Sequence, residues 1–289
     1  MFEPSIARNL LTLCGIKITH PVSFIDKNLN AGLHYFKNVL KYAVFLRKSL
    51  EKIMEILFED NHVIVVSKPQ GVPSQPDESG DKDMLTQVKE YIKEKYNKPG
   101  EAFVGLVHRL DRPTGGAMVF AKTSKAASRL SEQMRAGDFD KTYYAVVCGR
   151  PRDAKGKIVS YLKKDEKTNT VKIVPQSEKD AKRAELDYET LEYNAETDHA
   201  LVKVKLYSGR GHQIRVQLKS IKCPIFGDQK YGGENMPKVM LNLFACELAF
   251  LHPVSKQKMI FRVYPPENAA GWKEFNLEKY LTLKTNIND

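Results

Sequence analysis

Between Lys141 and Leu206 the chain repeats one pattern five times: a run of five to eight residues rich in β-branched and aromatic side chains, closed by a polar turn. The runs are Lys141 to Val147, Lys157 to Tyr161, Thr170 to Val174, Ala184 to Leu191 and His199 to Leu206. With this meander-like spacing, neighbouring runs can satisfy each other's backbone groups by antiparallel pairing, which commits the middle of the chain to a sheet. A hairpin is expected over Ile56 to Val66, turning at Glu59-Asp60-Asn61, with more strands at Phe103 to Val107, Ala117 to Ala121, Leu243 to Leu251 and Met259 to Tyr264. Helical spacing occurs in three places. Leu85, Val88 and Ile92 mark Met84 to Tyr96; Ala127, Leu130 and Met134 follow an N-cap at Ser124 and stop at Gly137; Ile214, Leu218 and Ile221 follow His212. The expected architecture is α+β, a mixed and mainly antiparallel sheet with flanking helices and a central cleft.

Charge divides the 289 residues unevenly. Met1 to Ile53 holds eight Lys and Arg against three Asp and Glu, nearly half of the chain's net +11. This segment reads as a basic N-terminal extension, a weakly ordered appendage or a translated leader before a start at Met54, and 54–289 as one catalytic domain. An excess of cations suits a polyanionic partner, because binding releases counterions from phosphates. No apolar run approaches the roughly 20 residues of a spanning helix, so no membrane role is expected. Cys14, Cys148, Cys223 and Cys246 are scattered without a CxxC pair, which points to a reducing cytoplasm and neither a zinc site nor a disulfide framework.

One acidic residue stands out. In LVHRLDRPTGGAMVFAKT, Leu106 to Thr123, Asp111 sits among His108, Arg109 and Arg112, and nearby cations favour an ionised carboxylate. Gly115 and Gly116 follow Pro113-Thr114, so the backbone is expected to turn sharply and let something approach it closely. The plainest alternative for an Asp among cations is a surface ion pair of little consequence. A second polar cluster, Gly209-Arg210-Gly211-His212-Gln213-Ile214-Arg215, supplies a distant partner and shifts the balance towards a site.

Common catalytic motifs are absent. His108-Arg109-Leu110-Asp111 lacks the downstream Asn of a kinase loop, with Gly116 in its place, and the chain has no GxxxxGK[ST], GxSxG or HExxH. Instead, His108 to Thr114 followed by a glycine and then Ala121-Lys122 resembles the signature of the RluA-type pseudouridine synthases. The resemblance extends in order through Lys68-Pro69-Gln70-Gly71, Lys141-x-Tyr143-x-Ala145, Gly209-Arg210-x-His212-Gln213-Ile214-Arg215, Gly227-Asp228 with Tyr231-Gly232-Gly233, and His252-Pro253. One departure is Gly115, where that family commonly has Ser.

This resemblance implies isomerisation of uridine in structured RNA, rRNA or tRNA, to pseudouridine. Asp111 takes the position of the catalytic aspartate, Arg215 that of its paired arginine, and Tyr143 that of a tyrosine able to stack on uracil and assist proton removal. Tyr144 should face the opposite side of the strand. Lys68 is expected to face the RNA. His108, Arg109, Arg112, Thr114, Arg210, His212 and Gln213 are expected to bind RNA or shape the site. No metal, cofactor or obligatory protein partner is implied. A non-catalytic RNA-binding protein on the same scaffold is the alternative, and a hydrolase using Asp111 as nucleophile lacks a second carboxylate at a recognisable spacing. Asp111, Tyr143 and Arg215 should therefore meet in one catalytic cleft.

Overall fold

A computed structural model describes residues 54–281; the basic segment expected at Met1–Ile53 lies outside them. Eleven strands form one sheet: β1 (Glu55–Glu59), β2 (Val63–Lys68), β3 (Gly105–Leu106), β4 (Gly115–Ala121), β5 (Asp140–Cys148), β6 (Lys155–Asp165), β7 (Thr170–Val174), β8 (Lys182–Asn194), β9 (His199–Leu206), β10 (Leu243–Leu251) and β11 (Lys258–Arg262). Their order is β1-β2-β4-β10-β5-β9-β8-β6-β7, with β11 on β10 and β3 on β4. Among the described residues only β4 and β10 pair in parallel. The α+β expectation holds.

Side-chain alternation along each strand builds a core on both faces. Val66, Met118, Tyr143 and Val202 project to one face, where they meet Met84, Val88 and Ile92 of α1 (Met84–Lys95) and Ile214 and Leu218 of α3 (Gln213–Ser220). Val65, Val119 and Tyr144 project to the other, against Leu130 of α2 (Ser124–Ala136) and the C-terminal residues Trp272 and Phe275. Burying side chains of this size contributes about 1.5–3 kcal/mol each. Tyr143 and Tyr144 thus divide between the faces as expected.

Two local expectations shift. The N-cap of α2 is Thr123, one residue before Ser124: the extended backbone falls there, and its hydroxyl accepts the Ala126 N–H at 3.2 Å. Gly137 ends the helix in the left-handed conformation at φ 87°. The strand expected over Phe103 to Val107 shrinks to Gly105–Leu106. β3 pairs only with Phe120 and Ala121 of β4, because the next amide on that edge, the Val119 N–H, donates instead to His108 Nε2 at 3.1 Å, and β10 takes the edge further on at Gly115 and Gly116.

That parallel crossing also changes the meaning of the paired glycines. A Cβ on Gly115 would lie 2.4 Å from the Phe244 ring, and one on Gly116, at φ 128°, 2.3 Å from the Ala245 carbonyl oxygen. What approaches the backbone is β10, not a nucleotide. It also accounts for glycine where the family has Ser, because Phe244 fills the space of a side chain.

At the other end of this layer, Glu59 fastens β1 to its surroundings. Its carboxylate accepts from Lys122 and Lys95 Nζ, both at 2.6 Å, and from the phenols of Tyr96 at 2.9 Å and Tyr91 at 3.0 Å. Burial alone would raise its pKa, but these donors outweigh burial and hold it at about 2. A carboxyl depressed in the folded state stabilises above its unfolded value, and the stabilisation fades as pH falls towards the folded one. Glu59→Gln is expected to lose about 2 kcal/mol at pH 7. Urea unfolding should show the gap to wild type narrowing between pH 5 and 3; a constant gap would mean that the charge is not what matters.

Candidate active site

The loop carrying Asp111 runs from β3 to β4 and is fastened from beneath. Thr114 N–H donates to the Asp111 carbonyl at 2.9 Å, closing the turn. Ser74 Oγ donates to the Leu110 carbonyl at 2.7 Å, while the Leu110 N–H donates back at 3.1 Å. Lys68, at the end of β2, is fully buried, and its ammonium donates to the carbonyls of Pro69 (3.0 Å), Val72 (2.6 Å) and Arg112 (3.2 Å). Burial pushes its pKa down to about 7, against the opposing pull of Asp111. The expectation that Lys68 faces RNA is therefore corrected: it ties the Lys-Pro-Gln-Gly turn to the Asp111 loop. Gln70 adds a second tie, its Nε2 donating to the carbonyls of Pro113 at 2.9 Å and Leu241 at 2.6 Å.

Opposite stands the start of α3. His212 adopts the left-handed conformation at φ 52°, which turns the chain into the helix. Gln213 holds the turn: its Oε1 accepts from Ser208 Oγ at 2.8 Å and the Arg210 N–H at 3.1 Å, and its Nε2 donates to the Glu185 carbonyl at 3.1 Å. Arg215 then projects from the first turn. Nε and Nη2 donate to the two carboxylate oxygens of Asp228 at 2.8 and 2.7 Å, leaving Nη1 3.8 Å from Asp111 Oδ2. His212 Nε2 lies 4.0 Å from the same oxygen.

Asp228 and Tyr231 complete this wall. Asp228 Oδ1 also accepts the N–H groups of Lys230 and Tyr231, both at 3.0 Å. The Tyr231 ring lies 5.0 Å from the Arg215 guanidinium, and its hydroxyl is 2.7 Å from His212 Nδ1 while accepting the Val171 N–H at 2.8 Å. Burial lowers the His212 pKa, so a neutral imidazole faces Asp111. Tyr143 rises from β5 on the same face. Burial, reinforced by the charge of Asp111, raises the pKa of its phenol, which stays protonated at neutral pH.

Asp111, Arg215, His212 and Tyr143 are thus brought together, and Asp111 remains partly open to solvent. The cations adjacent in sequence do not supply its shell. Burial drives the His108 pKa to about 3, and its Nε2 accepts the Val119 N–H at 3.1 Å beside Phe139. Arg112 pairs with Asp81 and, at 3.9 Å, with Asp77. Arg109 and Arg210 are exposed, and Arg210 Nε donates to the Arg183 carbonyl at 3.1 Å. Thr114 is buried with its hydroxyl unpartnered. Asp228 and Tyr231 were visible as a motif but were assigned no role. Their signal is chemical: an arginine expected to be buried needs a nearer and better-aligned carboxylate than one at 3.8 Å. Among the described residues no three His, Cys, Asp or Glu side chains are grouped to hold a metal ion.

Residues 62–220 match the family model described as RNA pseudouridylate synthase. The chain is 34% identical over 208 residues to the uncharacterized RNA pseudouridine synthase YhcT of Bacillus subtilis, covering 72% of this chain and 67% of that protein. It is 34% identical over 185 residues to ribosomal large subunit pseudouridine synthase D of Yersinia pestis, covering 64% of this chain and 54% of that protein. Human RNA pseudouridylate synthase domain containing 4 shares the fold at a TM-score of 0.62, with 24% identity over 77% of this chain and 92% of that one.

The geometry separates the two carboxylates that Arg215 serves. Asp228→Asn leaves a buried guanidinium without its main partner and should cost about 3–5 kcal/mol in urea unfolding. Asp111→Asn removes a longer, partly exposed contact and should cost under about 1 kcal/mol. Equal losses would mean that Asp228 is not the residue that holds Arg215.

Proposed function

We propose, because the chain belongs to the RNA pseudouridylate synthase family, that Asp111 is the catalytic carboxylate of its uridine isomerisation and that Arg215 and Tyr143 complete the site. The enzyme converts uridine in RNA to pseudouridine: the N1–C1′ glycosidic bond breaks, the uracil turns, C5 bonds to C1′, and the proton lost from C5 is balanced by one gained at N1. The observation that carries the assignment is the 3.8 Å approach of Arg215 to an Asp111 carboxylate that stays accessible.

Each neighbour has a distinct part. An anionic Asp111 beside a fixed guanidinium is suited to covalent or proton-transfer work on the detaching nucleoside. Tyr143 offers a ring for stacking on the extruded base. Its raised pKa favours stacking and hydrogen-bond donation over the proton removal expected from the sequence. His212, neutral and adjacent, stands beside the same carboxylate without adding charge.

Cations without a carboxylate partner beside Asp111 are available to an RNA bound there. On the Tyr144 side, Lys155 pairs with Glu189, Lys157 with Glu185, Lys205 with Asp140 and Arg262 with Glu247. Around Asp111, Arg109, Arg210 and Lys230 carry no carboxylate partner among the described residues, as is also true of Lys172 and Lys203 on the other face. Unneutralised cations are the ones that gain from contacting phosphates. The name of the Yersinia relative favours ribosomal RNA as the substrate class, and a cytoplasmic location accords with the unpaired thiols of Cys148, Cys223 and Cys246.

Asp111→Asn is expected to bind RNA as wild type does, with turnover reduced at least about a thousandfold. Pseudouridine mapping of RNA from cells lacking the protein should show at least one site lost, restored by wild type and not by the variant. Retained turnover would remove Asp111 from the mechanism.

A further inference from the structure

We infer that Lys141 is a phosphate-binding residue of the uridine cleft: its ammonium, set between the Asp111 loop and the turn that carries His212, takes a backbone phosphate flanking the extruded nucleotide. The inference rests on the RNA reading above and adds to it a residue that reading leaves without a part.

Three elements enclose this ammonium. Lys141 lies two residues before Tyr143 on β5, so alternation turns both side chains to the catalytic face. Asp140, the acid next to it, turns the other way and meets Lys205 and Lys258, each at 3.4 Å. On one side of Lys141 stands His108, three residues before Asp111, whose pKa its charge helps to depress. On the other is the turn after β9, where the first carbon of a side chain at Gly209, three residues before His212, would lie 3.7 Å from Lys141 Nζ. Met134 of α2 closes the enclosure with its sulfur 3.7 Å from the same nitrogen.

Nothing in this enclosure neutralises the charge. The Met134 thioether is a weak acceptor, the neutral imidazole of His108 has its Nε2 taken by the Val119 N–H, and no carboxylate pairs with Lys141 among the described residues. Burial accordingly lowers the pKa of the ammonium, with no ionic contact to offset it. A half-buried cation left in this state gains from an anion that can reach it. Room for one exists: apart from Lys141 Nζ, a side chain at Gly209 would meet no atom within 4 Å, and one at Gly211 would meet none. An RNA that swings its uridine out towards Asp111 has to hold the phosphates on either side of it at the mouth of the cleft, and phosphate is the anion its backbone brings there.

Binding of the full-length protein to a labelled oligouridylate is measured over a range of salt concentrations, and turnover on an unmodified transcript of the RNA found by pseudouridine mapping. Lys141→Met is expected to weaken binding about tenfold and to lower the slope of log affinity against log salt by about one, while kcat at saturating RNA stays within about twofold. Lys141→Arg should recover most of the affinity. Gly209→Asp, which sets a carboxylate beside Nζ, should reproduce the loss, and Gly209→Asn, of the same size without the charge, should not. Thermal melts identify any variant that fails to fold, and the Gly209 pair tests the site with Lys141 itself untouched. The inference is overturned by no saturable binding in wild type, by an affinity or salt slope unchanged in Lys141→Met, by a loss that Lys141→Arg does not recover, or by equal losses in the two Gly209 variants. A pseudouridine map unaltered by loss of the protein would instead defeat the catalytic assignment, leaving the binding measurements to decide on Lys141.

Discussion

A guanidinium buried between two carboxylates is the constraint on which the site depends. Arg215 loses hydration on entering the first turn of α3, and an isolated buried charge would be untenable. Asp228 compensates with a two-point contact, so two of the guanidinium's three nitrogens, Nε and Nη2, are committed before any substrate arrives. Only Nη1 is left to face Asp111. The longer separation leaves the Asp111 carboxylate free of a tight ion pair, as the proposed catalytic role would require. One strong pair therefore holds the arginine so that a weak one can leave the aspartate available.

The same division between holding and acting recurs beneath the Asp111 loop. Lys68, Gln70 and Ser74 contribute their polar atoms almost wholly to carbonyl and amide groups of that loop and its supporting turn. None is positioned as a free surface charge. Meanwhile the two glycines at the start of β4 let β10 cross in parallel at a distance no side chain would permit. β10 thus supports the strand that leaves the Asp111 loop, and its neighbour β5 presents Tyr143 on the face where that loop returns. A loop with this many ties is suited to preorganising a carboxylate, which needs fixed direction more than local charge.

How much of this could be read beforehand follows from the range of the forces involved. Strand alternation is local, so the opposite facings of Tyr143 and Tyr144, the meander from β5 to β9 and the helix start after His212 were all legible. Asp111, Arg215 and Tyr143 were legible only as members of spaced motifs. The surroundings of Asp111 were misread because adjacency in sequence was taken for adjacency in space. His108 turns into the Phe139 layer and loses its charge to burial, while Arg112 swings to Asp77 and Asp81. Lys68 was misread for a related reason: whether a lysine is solvated depends on which loop folds over it, here one that lies more than forty residues ahead.

Tyr143 shows how the scaffold narrows the chemistry. A phenol set in the apolar layer next to a carboxylate holds its proton more tightly, because both burial and the neighbouring anion disfavour phenolate. On the proposed assignment, the placement that would set the ring against an extruded base weakens the same residue as a base. A proton leaving uracil carbon must find an acceptor other than a standing phenolate, and within this wall the candidates are the Asp111 carboxylate and the neutral imidazole of His212, 4.0 Å apart. Since His212 is held through Nδ1 by the Tyr231 hydroxyl, its Nε2 is the nitrogen turned towards Asp111. The wall that fixes Arg215 thus also fixes which imidazole atom faces Asp111, and on the proposed assignment the nucleoside beside it.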